Sequence, residues 1–272
     1  MENKIDTLIV GASYFAIGYA SVHPECTILE ASQMLGGGFH QSLCTADISK
    51  AGEREADTEL GRLMRELHIW EDGQFDVLKA SPALHRYAAE KVDIHILLDA
   101  RIISIAGEAN GYEVKYMDNE GIHMLHCNKM LDTTMCRDTY PAGARCAAKT
   151  LNLFTAGVTE GFEGKLKAVC PECHILEGRN KGEKIVKIPF DPEANRLEAY
   201  GEITKLWKKA YPEGEEKILF IAEDFEFVCE EADDAQAPCP WIGNRFDHPI
   251  HAFAEGMNFR FFEKGEERNE LL

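Results

Sequence analysis

Six consecutive residues, Gly11-Ala12-Ser13-Tyr14-Phe15-Ala16, follow a short apolar run and have the makings of a phosphate-facing turn. A dinucleotide site needs a tight turn without bulky side chains, so that a pyrophosphate can reach the backbone, and a helix whose first amides face it. The segment matches G-x-G-x-x-G/A at its first and last positions, with Ser13 in place of the middle glycine. Glu30 ends the next apolar run, placed to accept hydrogen bonds from a ribose hydroxyl and to repel a 2′-phosphate. The plainer alternative is a structural strand-turn-helix with no ligand.

Other reactive residues are more scattered. His40 and Cys44 follow a glycine run and could stand beside a cofactor ring as proton donor or electron relay, or be a loop histidine and a buried thiol. His248 next to Asp247 could polarise a substrate, although a turn before Pro249 accounts for both. Cys170-Pro-Glu-Cys173-His174 could be half a zinc site or a redox dithiol. With no second C-x-x-C in the chain, reduced structural cysteines are the expectation and no metal is assigned. The aromatic runs around Phe225 and Phe253 could line a ligand pocket, although strand or helix core is the ordinary reading. No G-x-S-x-G, Walker A or H-E-x-x-H pattern occurs, which removes the simplest hydrolase, nucleotide triphosphatase and metalloprotease readings.

These residues need elements to hold them. Residues 5–10 and 26–29 read as buried parallel strands flanking a short helix from residue 13 to 20. Leu60, Leu63, Met64 and Leu67 mark one face of a helix within 53–70. Ser81 and Pro82 predict the start of another, running to residue 91. Strands are expected at 94–98, 101–105, 112–116 and 123–127, the last three forming an antiparallel meander, with a further short strand at 129–132. Beyond it, strand-like segments at 165–169, 184–189 and 217–222 surround a helix opened by Asp191 and Pro192, with Leu197, Tyr200, Ile203, Leu206 and Trp207 on its apolar face. Residues 251–262 predict a closing helix. The fold class is therefore α/β, a Rossmann-like unit with a β-meander plus a smaller α+β unit built on an antiparallel sheet.

Bulk properties narrow the partners. In 272 residues, 47 acidic against 29 basic side chains give a net charge of −18, which repels polyanions, so nucleic acid is not expected. A hydrophobic fraction of 45% is that of an ordinary globular chain. No apolar stretch is long enough for a membrane span, and the charged opening residues do not suit a secretory signal, so a cytoplasmic protein is expected. The nine cysteines lack the spacing of a disulfide scaffold. The expected partner is an unidentified small-molecule substrate, with a homo-oligomer or a partner protein left open.

The sequence resembles the FAD-dependent oxidoreductases of the glutathione-reductase-like, two-domain type. The likeness rests on the segment 8–16, on 26–30, on Leu35-Gly36-Gly37-Gly38, and on Met130-Leu-Asp-Thr-Thr-Met135, which is similar to the strand ending in Asp-Ala-Thr-Gly of that family. It implies FAD as cofactor, Glu30 with Ala31 at the adenosine ribose, and Gly36, Gly37 and Gly38 along the pyrophosphate and flavin. It also implies a backbone contact to adenine near Arg101 or Ile102, and flavin-side positions at Thr134, Phe246 and Asp247. The cofactor unit would comprise 1–135 and 236–272, and a substrate-covering unit 136–235. The departures are Ser13, Met135 where glycine is usual, and a first helix about one turn short. The implied activity is hydride or electron transfer between flavin and substrate. An NAD-binding enzyme and a non-catalytic protein retaining the fold are the rivals.

Overall fold

A computed structural model describes residues 4–44, 57–71, 74–91, 93–140, 146–229, 239–243, 245–246 and 248–261. The chain opens with β1 (Lys4–Val10), α1 (Tyr14–Val22), β2 (Thr27–Leu29) and a helical turn α2 (Gly37–His40). Next come α3 (Glu59–Glu66), the hairpin β3 (Trp70–Glu71) and β4 (Gln74–Phe75), α4 (Val77–Lys91) and β5 (His95–Leu97). The meander is β6 (Arg101–Glu108), β7 (Gly111–Asp118) and β8 (Gly121–Asp132).

These strands make one six-stranded sheet in the order β5-β2-β1-β8-β7-β6. β5, β2, β1 and β8 run parallel, and β7 and β6 continue antiparallel from β8. The apolar runs are continuous because both faces of the parallel part are covered. Ile9, Ile28 and Leu131 face a helical layer, while Leu8, Val10, Leu29 and Met130 face the curled meander, as the period-two alternation of a strand requires.

A second sheet has the order β10-β11-β9-β12, with β13 also paired to β9. It consists of β9 (Cys146–Thr155), β10 (His174–Glu177), β11 (Lys184–Phe190), β12 (Ile218–Ile221) and β13 (Glu226–Cys229). It is backed by α5 (Phe162–Val169) and α6 (Arg196–Ala210). The chain then returns to the first sheet, where α7 (Pro249–Asn258) packs on α1. The two helices touch backbone to backbone. A Cβ on Gly18 would lie 2.0 Å from the Phe253 carbonyl oxygen, and one on Gly256 would lie 2.1 Å from that of Phe15.

Several expectations need correction. The helix expected to start at Ser81 starts at Val77, because Asp76 accepts from the Lys79 amide (3.2 Å) and so caps it earlier, with Pro82 inside. The strands expected at 123–127 and 129–132 are one strand, β8. Residues 165–169 belong to helix α5, since Phe162 and Leu166, four apart, are the residues that enter the core. Asp191 and Pro192 precede α6 rather than opening it; Asn195 does that, in a reciprocal capping box with Glu198. Ala199, Ile203, Trp207 and Ala210 form its buried face, and Leu197 is 82% exposed. Strand β9, the centre of the second sheet, was not expected at all.

Candidate functional site

β1 delivers the chain to Gly11, whose φ of +87° suits glycine. The turn is clamped from β8: the Thr133 hydroxyl donates to Gly11 O (2.7 Å), and a Cβ on Gly11 would press on Thr134 Cγ2 at 2.9 Å. Ser13 is the N-cap of α1, its Oγ accepting from the Ala16 amide at 3.1 Å. Its φ of −69° is open to any residue, so the serine is accommodated by bending its hydroxyl back into the helix. Gly36, at φ +72°, donates to Ala12 O at 2.6 Å and brings the glycine run beside the Gly11 turn.

These pieces surround a cleft of about 650 Å³, a size suited to a cofactor or drug-sized ligand. Gly11, Ala12, Ser13, Tyr14 and Phe15 line it, as do Glu30 and Ala31. Gly36, Gly37, Gly38, Arg101, Thr134 and Phe246 also face it. Ala16 is buried beneath the turn, and Ile102 packs into the core beneath the meander. Of the two positions expected near the adenine, Arg101 lines the cleft and Ile102 does not. Asp247 lies outside the described residues.

Glu30 is already engaged. Its carboxylate accepts from the Ala12 amide (2.7 Å) and from the amide and hydroxyl of Ser32 (both 2.8 Å). It thus bridges the Gly11 turn to the end of β2, beside the cleft.

Two of the three proposed catalytic residues are not in the cleft. His40 is buried, its Nε2 3.0 Å from the Tyr14 hydroxyl and its Nδ1 3.2 Å from Val77 O. A carbonyl can only accept, so Nδ1 carries the proton and Nε2 accepts from Tyr14. Burial lowers the His40 pKa to about 4, which keeps the ring neutral. His248 is fully buried against Trp70 and Phe75, and its Nδ1 accepts from the Ile250 amide to cap α7 (3.1 Å). Both imidazoles position backbone. Cys44 does line the cleft, its thiol 3.5 Å from Glu226 Oε1.

The far wall comes from the second sheet: Phe225 and Phe227 were among the aromatics that could line a pocket, while its polar side chains were not foreseen. Glu226 accepts from Lys187 Nζ (2.7 Å) and Asn152 Nδ2 (2.6 Å), and Asn152 also donates to Ser42 O (2.8 Å). This joins the glycine loop to the second sheet. Arg196, which bonds the Glu223 carbonyl, and Phe225 and Phe227 complete the wall. The signal was a carboxylate set between two phenylalanines. Asp138 faces the same cleft; burial, reinforced by Asp132, Glu30 and Asp224, raises its pKa to about 6. Asp132, fully buried, accepts from the amides and hydroxyls of Thr134 and Thr139 at 2.6–2.9 Å, and its burial raises its own pKa.

Cys170 and Cys173 belong to the core of the second sheet, where burial raises Cys173 to about 11. Among the described residues no helix is long and apolar enough to cross a membrane.

No protein-family model and no curated protein matches the sequence. Solved structures do match. A p-nitrophenol 4-monooxygenase from Pseudomonas putida DLL-E4 superposes with a TM-score of 0.60 at 9% identity, over 94% of this chain and 76% of that one. A flavoprotein/dehydrogenase from Cytophaga hutchinsonii gives 0.54 at 14%, over 94% and 76%. Aklavinone-11 hydroxylase, solved with FAD and aklavinone, gives 0.54 at 12%, over 94% of this chain but only 61% of its own length. At these identities the likeness is one of fold, and this chain has the mixed-sheet-plus-antiparallel-sheet fold of those flavoproteins.

Proposed function

We propose that this chain binds FAD in the cleft and is a flavin-dependent oxidoreductase acting on a small molecule held against the second sheet. The observation that supports this is convergence: the Gly11 turn, the first turn of α1, Glu30 and the Gly36–Gly38 run all open onto one cleft. The residues fit the group. The first-turn amides of α1 point along the helix axis and suit a pyrophosphate, and the Gly36 backbone is held beside that turn by its bond to Ala12 O. Glu30 has lone pairs left for ribose hydroxyls, and Arg101 stands where the adenine end would lie. When bound, flavin supplies the hydride or electron transfer.

The chain's own residues do the rest. Phe225 and Phe227 exclude water on the far side, Lys187 and Glu226 orient a polar substrate, and Asp138 holds or releases a proton near neutral pH. In this reading residues 1–135 and 236–272 form the cofactor unit and 136–235 cover it. The finer glutathione-reductase-like assignment rests on the motif order alone, whereas the fold likeness runs to hydroxylases and a dehydrogenase.

One observation favours a second reading, a fold kept as a cofactor-free scaffold. The Met135 side chain covers Gly38, its Sδ 2.7 Å from where a Cβ would stand. Methionine is flexible enough to swing aside, so the two readings differ in whether it does. The test is a visible spectrum of the purified protein before and after incubation with FAD, followed by heat release and identification of the nucleotide. Bound, releasable FAD is expected. A colourless protein that takes up none would overturn the flavin reading, and nucleotide titration would then separate NAD from no cofactor.

A further inference from the structure

None of the nine cysteines is in a disulfide. Three of them, from three separate stretches of chain, meet at one edge of the cleft. Cys136, just past β8, lines it. Cys229 ends β13, and its Sγ donates to the Met135 carbonyl at 3.6 Å. Met135 is bonded to Cys136, so this contact sets Cys229 beside Cys136, and Cys146, the first residue of β9, is the cross-strand partner of Cys229. All three are half-buried, unlike Cys26, Cys127, Cys173 and Cys239, which are sealed in cores.

We propose that Cys136 and Cys229 form a reversible disulfide at the rim of the cleft, made by exchange with a low-molecular-weight disulfide. The inference is independent of the flavin reading. Interaction between the two thiols lowers the pKa of Cys229 and raises that of Cys136, so Cys229 is the attacking thiolate. It attacks one sulfur of RSSR, the S–S bond breaks, and RS⁻ leaves with the proton Cys229 has lost. Cys136 then gives up its proton and attacks Sγ of Cys229 in the mixed disulfide, expelling the second RS⁻. Two protein thiols are oxidised, one RSSR is reduced, and two RSH are released. The new bond ties the segment carrying Thr134 and Met135 to the strand carrying Glu226, and so crosslinks the two walls of the cleft.

The test uses the full chain, incubated with glutathione disulfide, denatured, alkylated with iodoacetamide and weighed. Two fewer alkylated thiols are expected, together with a proteolytic fragment joining Cys136 to Cys229 that dithiothreitol separates. In Cys136→Ser, Cys229 should retain one glutathione, and Cys146→Ser should leave the crosslink intact. Nine alkylated thiols after oxidation, or a wild-type crosslink joining Cys146 to Cys229, would overturn the proposal. Mapping on the wild-type chain keeps the test valid even if a variant fails to fold.

Discussion

The two walls of the cleft are made of different materials. The wall from the first sheet is mostly main chain: the Gly11 turn, the first turn of α1 and the glycine run present amides and space. The wall from the second sheet is side chain: Lys187, Glu226 and Asn152 satisfy one another over hydrogen bonds of 2.6–2.7 Å. A main-chain wall tolerates change in neighbouring side chains but not a shift of backbone. A side-chain wall is the reverse, since its geometry holds only while every partner is present.

That contrast can be broken first at α7, which fixes the position of α1. Gly256→Ala, with its Cβ set against the Phe15 carbonyl, should cost about 3 kcal/mol in urea unfolding. Gly201→Ala, on the open side of α6, should be neutral or stabilising by up to about 1 kcal/mol. Equal effects at the two glycines would refute the backbone-contact account.

On the side-chain wall, Glu226→Ala leaves Lys187 and Asn152 short of their acceptor and should cost about 2 kcal/mol. An unchanged melting temperature would show that the wall is not a cooperating unit. His40 tests the support of the main-chain wall through pH. Its folded pKa is about 4 against an ordinary 6.5, so between those values the unfolded chain binds a proton that the folded chain does not. Stability should therefore fall as pH falls below 6.5, by roughly 2 kcal/mol at pH 5. His40→Gln should flatten that slope, and an identical slope in both proteins would count against the buried neutral imidazole.

The smallest effect is expected at Ser13. Ser13→Gly should cost only a few tenths of a kcal/mol, because glycine is itself a fair N-cap, while opening the turn to a phosphate. FAD titration should show tighter binding by the variant. Weaker binding would mean that the hydroxyl contributes to the site instead of crowding it.

How far the sequence reached follows the same division. β1 and β2 were legible because strands buried on both faces are apolar throughout, and the Gly11 turn and Glu30 were legible because both belong to one short βαβ span. β9 was hidden because a central strand carries Lys149, Asn152 and Thr155 into buried positions, breaking both the apolar run and the alternation. Lys187 was hidden because it is unremarkable locally, and Glu226, although flanked by Phe225 and Phe227, acquires its meaning only through Lys187 and Asn152. His40 and His248 were misplaced for the opposite reason: a histidine beside a glycine run or a proline looks exposed until Tyr14, Val77, Trp70 and Phe75 are seen to enclose it. The packing of Gly18 and Gly256 left a trace, a glycine inside each of two apolar helices, but nothing local to say that the helices face each other.

The pairing of α1 with α7 also sets a timetable for the newborn chain. The helix that opens the first unit waits for a partner encoded more than two hundred residues later. At ordinary rates of synthesis, roughly 5–20 residues per second, that wait lasts on the order of ten seconds or more. Throughout it the side of α1 that meets α7 has nothing permanent to cover it, while the second sheet, wholly contained in the intervening stretch, is free to assemble. The unit translated first is thus the one completed last, and an interruption of translation between residues 229 and 249 would release a chain holding every strand of the second sheet but lacking the helix that packs on α1.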